Sequence, residues 1–347
     1  MPKDNESIPF LGDLSVEPAE PRGFSPDEMV RCEACLRANP PTRVTCLYCG
    51  KALPVTASSK ALARPSFRPL EKWEQGYNNI LIPSAGQHLS HDVMGQVASL
   101  LRLEAGVVER IFSAPRPLPL ARTAAEEEAL LVEERLCDLG VEAIVVSDRD
   151  LGLETAPTRR ARGLELRESH VVLHDLAGKE QSTIAWSELN LLVVARLFAK
   201  RVELKERKRR NAESVILESS ETSSDEAVID IYSQSEVGGW RVAANSFDFS
   251  CLGSRKTLLA SENFSTLVEA IRERSLDVEC DDLFDSLRPV LEPVWPSEQE
   301  TQAAGWRREW LGKFSTGEIV TTTNELQFTR YSRLRHYLRS RSLGNKR

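Results

Sequence analysis

Four cysteines carry the clearest chemistry in this chain. Cys32, Cys35, Cys46 and Cys49 stand as C-x2-C, ten residues, C-x2-C. Two residues between cysteines let one tight turn present both sulfurs to the same ion. Two such turns supply the four thiolates of a tetrahedral Zn2+ site and leave no position for water. Without metal-bound water there is no hydroxide to generate, so the expected role of the metal is structural. A segment this short buries little apolar surface, so metal binding would supply its folding free energy, about 10 kcal/mol or more in small zinc peptides. Two disulfides or four free thiols are the competing readings. The acidic first 24 residues, with Asp4, Glu6, Asp13, Glu17 and Glu20 and no apolar core, do not read as a secretory signal, which argues against disulfides.

The remaining candidates for chemistry have plainer readings. His88 and His91 stand at a helix start without an accompanying carboxylate pattern and read as solvated helix-entry residues. His170 and His174 fall four apart on an expected hairpin, too distant to share an ion, and Cys137, Cys251 and Cys280 are scattered singly. The acidic runs Glu126-Glu127-Glu128 and Asp281-Asp282 sit in expected first helical turns, where the macrodipole favours them. No phosphate loop, nucleophile elbow or H-E-x-x-H occurs. No enzyme is expected.

The string around the cysteines resembles the RanBP2-type zinc finger. Three residues separate Asn39 from Cys35 and six separate it from Cys46, as in that family, while Val30 occupies the family's Trp position. The ending Cys46, Cys49, Gly50, Leu53 is similar to the bacterial zinc ribbon. The resemblance covers residues 29–54. RanBP2-type fingers bind ubiquitin or single-stranded RNA, and this chain has neither the Thr-Phe of the ubiquitin binders, showing Leu36-Arg37 there, nor the RNA binders' exposed Trp and paired arginines. The resemblance therefore implies a zinc-held protein-contact module.

Length, charge and periodicity define the elements that position this module. The chain has 347 residues, 41% of them hydrophobic, and a net charge of −7, which predicts two or three domains and argues against general nucleic-acid affinity. No run reaches the length of about 20 apolar residues that a membrane span needs. A cytoplasmic location is expected. The fold class is multidomain α+β: a disordered leader (1–28), the zinc finger (29–54), a Pro/Ser/Ala-rich linker (55–76), a compact βααβαβ unit (77–151), a β-rich barrel with a closing helix (156–275), and C-terminal helices with a basic tail (276–347).

Within 77–151, Ser90 caps one expected helix and Thr123-Ala-Ala-Glu126 forms a capping box for another, with Gly140 in the left-handed position after it. The order of elements resembles the C-terminal domain of ribosomal protein L7/L12. In 156–275, a hairpin turning at Glu168-Ser169 and several further strands precede a helix expected to be capped by Ser261, an order that resembles a pleckstrin-homology-like barrel. Residues 191–198 and 202–205 read as two strands.

The basic run 205–210 reads as a solvated loop balanced by Glu218, Glu221, Asp225 and Glu226. The C-terminal arginines Arg330, Arg333, Arg335 and Arg339 interleave with Tyr331, Leu334, Tyr337 and Leu338, and read as a helix docking its apolar face. The expected function is scaffolding or regulation through protein contacts. The alternative is binding of nucleic acid or an anionic membrane through the finger, the loop 205–210 and the tail 330–347. An enzyme with a site assembled from distant residues is the third reading.

Overall fold

The computed structural model describes residues 23–54, 57–71, 74–83, 89–175, 181–207, 215–310 and 313–344. His88, the first 22 residues of the expected leader, residues 208–210 of the basic run, and Lys346 and Arg347 lie outside them. The chain divides into two compact units, residues 1–64 and 65–347.

In the first unit, strands β1 (Val30–Arg31) and β2 (Ala38–Asn39) pair antiparallel, and helix α1 (Ala57–Leu62) follows the last cysteine turn. The expected linker is ordered here: Ala63 is buried and the Arg64 N–H donates to Thr42 O at 2.9 Å. Residues 26–28 of the expected leader form a short 3-10 turn, with the Ser25 N–H donating to Glu28 Oε2 at 2.8 Å.

The second unit opens with β3 (Tyr77–Leu81), α2 (His91–Leu101), α3 (Ala105–Phe112), β4 (Pro119–Thr123), α4 (Glu126–Asp138) and β5 (Ala143–Ser147). Its three strands lie in the order β4-β3-β5, both pairings antiparallel. Ser90 Oγ accepts from the Val93 N–H at 3.3 Å, so this cap is present. The capping box at Thr123 does not form. Ala125 is the cap residue, and the Thr123 hydroxyl turns to donate to Ala125 O at 3.0 Å, because Thr123 is itself buried as the last residue of β4.

A nine-stranded curled sheet follows, made from β6 (Arg159–Leu166), β7 (His170–Asp175), β8 (Gln181–Ala185), β9 (Leu189–Arg207), β10 (Val215–Ser233), β11 (Trp240–Ala243), β12 (Glu279–Asp281), β13 (Glu298–Trp310) and β14 (Lys313–Thr323). Helices α5 (Ala260–Arg274), α6 (Phe284–Leu291) and α7 (Glu325–Gly344) pack on it. The strand path is β13-β14-β9-β10-β11-β6-β7-β8, with β12 also beside β9. The sheet therefore reaches beyond residue 275.

Strand β9 is the spine. Its apolar run is buried on both faces: Leu191, Val193 and Ala195 enter one core, and Leu192 enters the other. The first core lies under α6 and α7 and also takes in Ile80, Val97, Val108, Leu120 and Val132, so residues 77–151 and 284–334 share one interior. The second lies under α5, with Phe264, Leu267 and Ile271.

Two expectations from the sequence are corrected here. The segments 191–198 and 202–205 are one continuous strand, and the serine- and acid-rich stretch is its partner strand, not a solvated loop. Opposite charges meet diagonally across this pair, with Lys200 Nζ 3.0 Å from Glu221 and Arg196 3.6 Å from Asp225. Ser261 lies inside α5 rather than capping it. Leu259 is the cap residue and no side chain caps the helix; Asn263, inside α5, ties down the preceding segment by accepting from the Thr257 N–H at 2.7 Å and donating to Thr257 O at 2.9 Å.

The expected basic tail is the buried helix α7. Phe328, Tyr331 and Leu334 are fully enclosed, and Arg330, Arg333 and Arg335 are buried with them. A buried helix carrying arginines is tolerable only with acceptors around it. Arg335 bonds Asp281 at 2.7 Å and Glu279 at 2.8 Å, and Arg339 reaches Glu279 at 2.9 Å. Arg333 donates to Val237 O, to Ala156 O at 2.6 Å and to Thr158 Oγ1 at 3.0 Å.

Candidate metal centre

The two C-x2-C turns are built alike. In the first, the Cys32 N–H donates to Arg37 O at 2.9 Å and the Leu36 N–H to Cys32 O at 2.8 Å. In the second, the Cys46 N–H donates to Lys51 O at 2.8 Å and the Gly50 N–H to Cys46 O at 3.0 Å. Each turn closes on a residue with positive φ, Leu36 at 61° and Gly50 at 70°. Glycine meets that requirement without a Cβ clash, whereas leucine adopts it at a cost of about 1–2 kcal/mol.

These turns bring all four sulfurs within 4.8 Å of one another. Cys32 Sγ lies 3.6 Å from Cys49 Sγ, and Cys35 Sγ lies 3.5 Å from Cys46 Sγ. No disulfide links them. A tetrahedron with metal–sulfur bonds of about 2.3 Å has edges of about 3.8 Å. The sulfur spacing fits such an ion.

Asn39 completes the surroundings. It is wholly buried, accepts from the Leu47 N–H at 2.8 Å, and donates to Arg37 O at 3.0 Å and to Cys46 Sγ at 3.5 Å. The Tyr48 N–H also points at Cys46 Sγ, at 3.5 Å. Desolvation opposes ionisation of Cys46, yet the N–H groups of Tyr48 and Cys49 and the Asn39 amide together bring its pKa down to about 6. For Cys35 the Arg37 backbone favours thiolate, but desolvation and three crowding sulfurs push the thiol up to about 12. A divalent cation would relieve the crowding and let all four ionise.

The module exposes three large apolar side chains among charged ones. Leu36, Leu47 and Tyr48 are 61%, 53% and 56% exposed, and the Arg37 guanidinium lies 4.6 Å above the Tyr48 ring. Sequence reading marked the cysteines and the spacing of Asn39, but it missed this patch. The available signal was Leu36, a leucine where the matching turn has Gly50.

The other titratable candidates are dispersed. His91 is exposed at the start of α2, His174 Nε2 lies 3.3 Å from Glu165, and the Ser169 hydroxyl sits 3.0 Å from His170 Nδ1. Among the described residues, no other group of three or more His, Cys, Asp or Glu is placed to hold an ion. No helix of the described residues is long and apolar enough to cross a membrane. Comparison with family models, curated proteins and solved structures gave no match.

Proposed function

We propose that residues 29–54 form a structural zinc module that presents an apolar patch to a protein partner, and that the chain acts as a non-enzymatic scaffold or regulator. One observation carries this reading. Leu36 takes a left-handed backbone conformation while standing 61% exposed, although the equivalent turn uses glycine. Strain held at an exposed side chain with no folding role points to a contact made by that side chain. Leu47 and Tyr48 are the other large apolar side chains this module exposes, and aromatic anchors of this kind are enriched at interface centres.

Zinc is the proposed ion because four thiolates in a shell with no vacancy suit it, and because the Asn39 geometry supports the RanBP2-type likeness. The likenesses of residues 77–151 to the L7/L12 C-terminal domain and of 156–275 to a pleckstrin-homology-like barrel stand as proposals. They are supported by the antiparallel order β4-β3-β5, and by two three-stranded runs, β6-β7-β8 and β9-β10-β11, with α5 on one face. Both would make the second unit a further binding platform.

The test is affinity capture from a cell lysate with the full chain, alongside Leu36→Gly and Tyr48→Ser. Both variants should keep one zinc per chain; the thermal midpoint of Tyr48→Ser should be unchanged and that of Leu36→Gly unchanged or raised, because glycine relieves the left-handed turn. Both should lose the captured partner. Capture that persists in both, or that survives removal of the metal, would refute the proposed surface.

A further inference from the structure

Among the buried arginines of α7, Arg330 differs from its neighbours. It is 9% exposed, yet it forms no hydrogen bond or ion pair with any described residue; its Nε–H is buried without an acceptor, as are those of Arg333 and Arg339, but those two bond through their other nitrogens. Arg333 and Arg335, on the same helix, each have two or more acceptors. A buried cation without a partner is costly enough that proteins normally supply one.

Arg330 lines a cavity of about 320 Å³ within the second unit. Phe67, Leu101, Leu103 and Val294 form much of its wall, and Arg122 borders it beside Arg330. The volume lies at the lower end of the range of about 300–1,000 Å³ usual for small-molecule sites.

The ion pairs around the cavity leave Arg330 as the guanidinium without a partner. Arg68 is paired with Glu74, and Arg122 bonds Asp148 Oδ2 at 2.5 Å. Asp148 is already engaged by the Gly76 N–H at 2.9 Å and the Asn78 amide at 3.0 Å. Arg122 keeps its own Nε–H buried and unbonded. The exposed Glu71 and half-buried Glu298 also line the cavity, but neither is within ion-pair distance of Arg330. Desolvation, and then repulsion from Arg122, bring the Arg330 guanidinium down to about 10, against the weaker pull of Asp148 and Glu298.

We propose that this cavity binds a small organic monocarboxylate, its head accepting hydrogen bonds from the Arg330 guanidinium and its apolar body lying against Phe67, Leu101, Leu103 and Val294. One guanidinium without a bonding partner matches one carboxylate head. A carboxylate is planar and fits the guanidinium fork with two parallel hydrogen bonds. A phosphate monoester carries a charge of about −1.5 to −2 and would place the excess beside Asp148. The apolar wall selects a ligand with a hydrocarbon body over acetate.

The experiment is calorimetric titration of the full chain with sodium octanoate, with acetate, 1-octanol and octyl phosphate as comparisons. Octanoate should bind saturably at one site per chain, raise the thermal midpoint and shift the methyl resonances of Leu101, Leu103 and Val294. Acetate and octanol, each lacking half the recognition, should bind more weakly. Arg330→Met should fold, because it removes a lone buried charge, and should weaken octanoate by about thirtyfold or more. Arg330→Lys should fall between the two.

Absence of saturable octanoate binding would overturn the proposal. So would equal binding by Arg330→Met, or methyl shifts confined to other sites. Tighter binding of octyl phosphate than of octanoate would overturn the carboxylate head. The wild-type titration and its methyl shifts decide the matter even if Arg330→Met does not fold.

Discussion

Arg241 and Asp230 face one another directly across strands β11 and β10 and exchange two hydrogen bonds, Nε to Oδ1 at 2.7 Å and Nη2 to Oδ2 at 2.9 Å. Both side chains are withdrawn from water, and the pair lies beneath α7, where Arg241 also reaches Thr329 Oγ1 at 3.1 Å. The carboxylate and burial act on Arg241 in opposite directions, and the carboxylate prevails, raising the guanidinium pKa. Arg241→Met would leave Asp230 buried without its partner. The expected loss is about 3–5 kcal/mol in urea unfolding. The double variant Arg241→Met/Asp230→Leu should recover a large part of it, and a double variant no more stable than Arg241→Met would show that the pair is not the source of the loss.

Elemental analysis of the purified chain should find one zinc per molecule, absent from Cys32→Ser and Cys46→Ser. Asn39→Ala keeps all four sulfurs but removes the amide that bonds Cys46 Sγ and the Leu47 N–H. Its metal affinity should fall about 10- to 100-fold in a chelator competition. Unchanged affinity would mean that the amide does not hold the sulfur in place.

Where the chain is cut should matter sharply. Deleting residues 1–64 removes one compact unit and should leave the other with its unfolding midpoint intact. Deleting residues 1–76 also removes Phe67 from the core and the Gly76 N–H from Asp148. That second deletion should cost a further 2–4 kcal/mol or so, read by denaturant unfolding. Equal stability of the two products would restore a plain linker over 65–76.

His336 stacks on Tyr232 at 4.5 Å, and its Nε2–H donates to Ser233 O at 3.1 Å. Burial lowers its pKa from 6.5, and the nearby Arg333 lowers it further, against the pull of the Ser233 carbonyl. Above 6.5 both folded and unfolded chains hold a neutral ring, and no stability depends on it. As pH falls below that value the unfolded chain takes up a proton that the folded one resists, so stability declines. Glu74, held down to about 2 by Arg68, loses its contribution only at much lower pH. Unfolding followed by Trp240 and Trp295 fluorescence should therefore show a decline between about pH 6.5 and pH 5 that His336→Phe flattens. An identical slope in that variant would rule the histidine out.

The parts of this fold legible in the sequence are those set by local chemistry. Ser90 announces its helix, Gly140 takes its positive φ, and the cysteine spacing foretells sulfurs that converge. The misreadings came where distant chain decides. Asp225 and Glu221 look like loop residues until Arg196 and Lys200 lie diagonally across from them. The arginines of α7 look like surface residues until Asp281, Glu279 and Ala156 O surround them. Nor does any local pattern announce that Trp295 donates to Asn78 Oδ1 at 2.8 Å across 217 positions, or that Arg330 is left without an acceptor.

Helix α7 also bears on how the protein comes into being. Phe328, Tyr331 and Leu334 are made after almost everything they touch, yet they fill the middle of the interior beside Leu191, Phe284 and Ile80. During translation, then, the curled sheet must wait, with one apolar face uncovered, until residue 334 has left the ribosome. A product released earlier would carry that bare face into the cell, where chaperones and proteases recognise such surfaces.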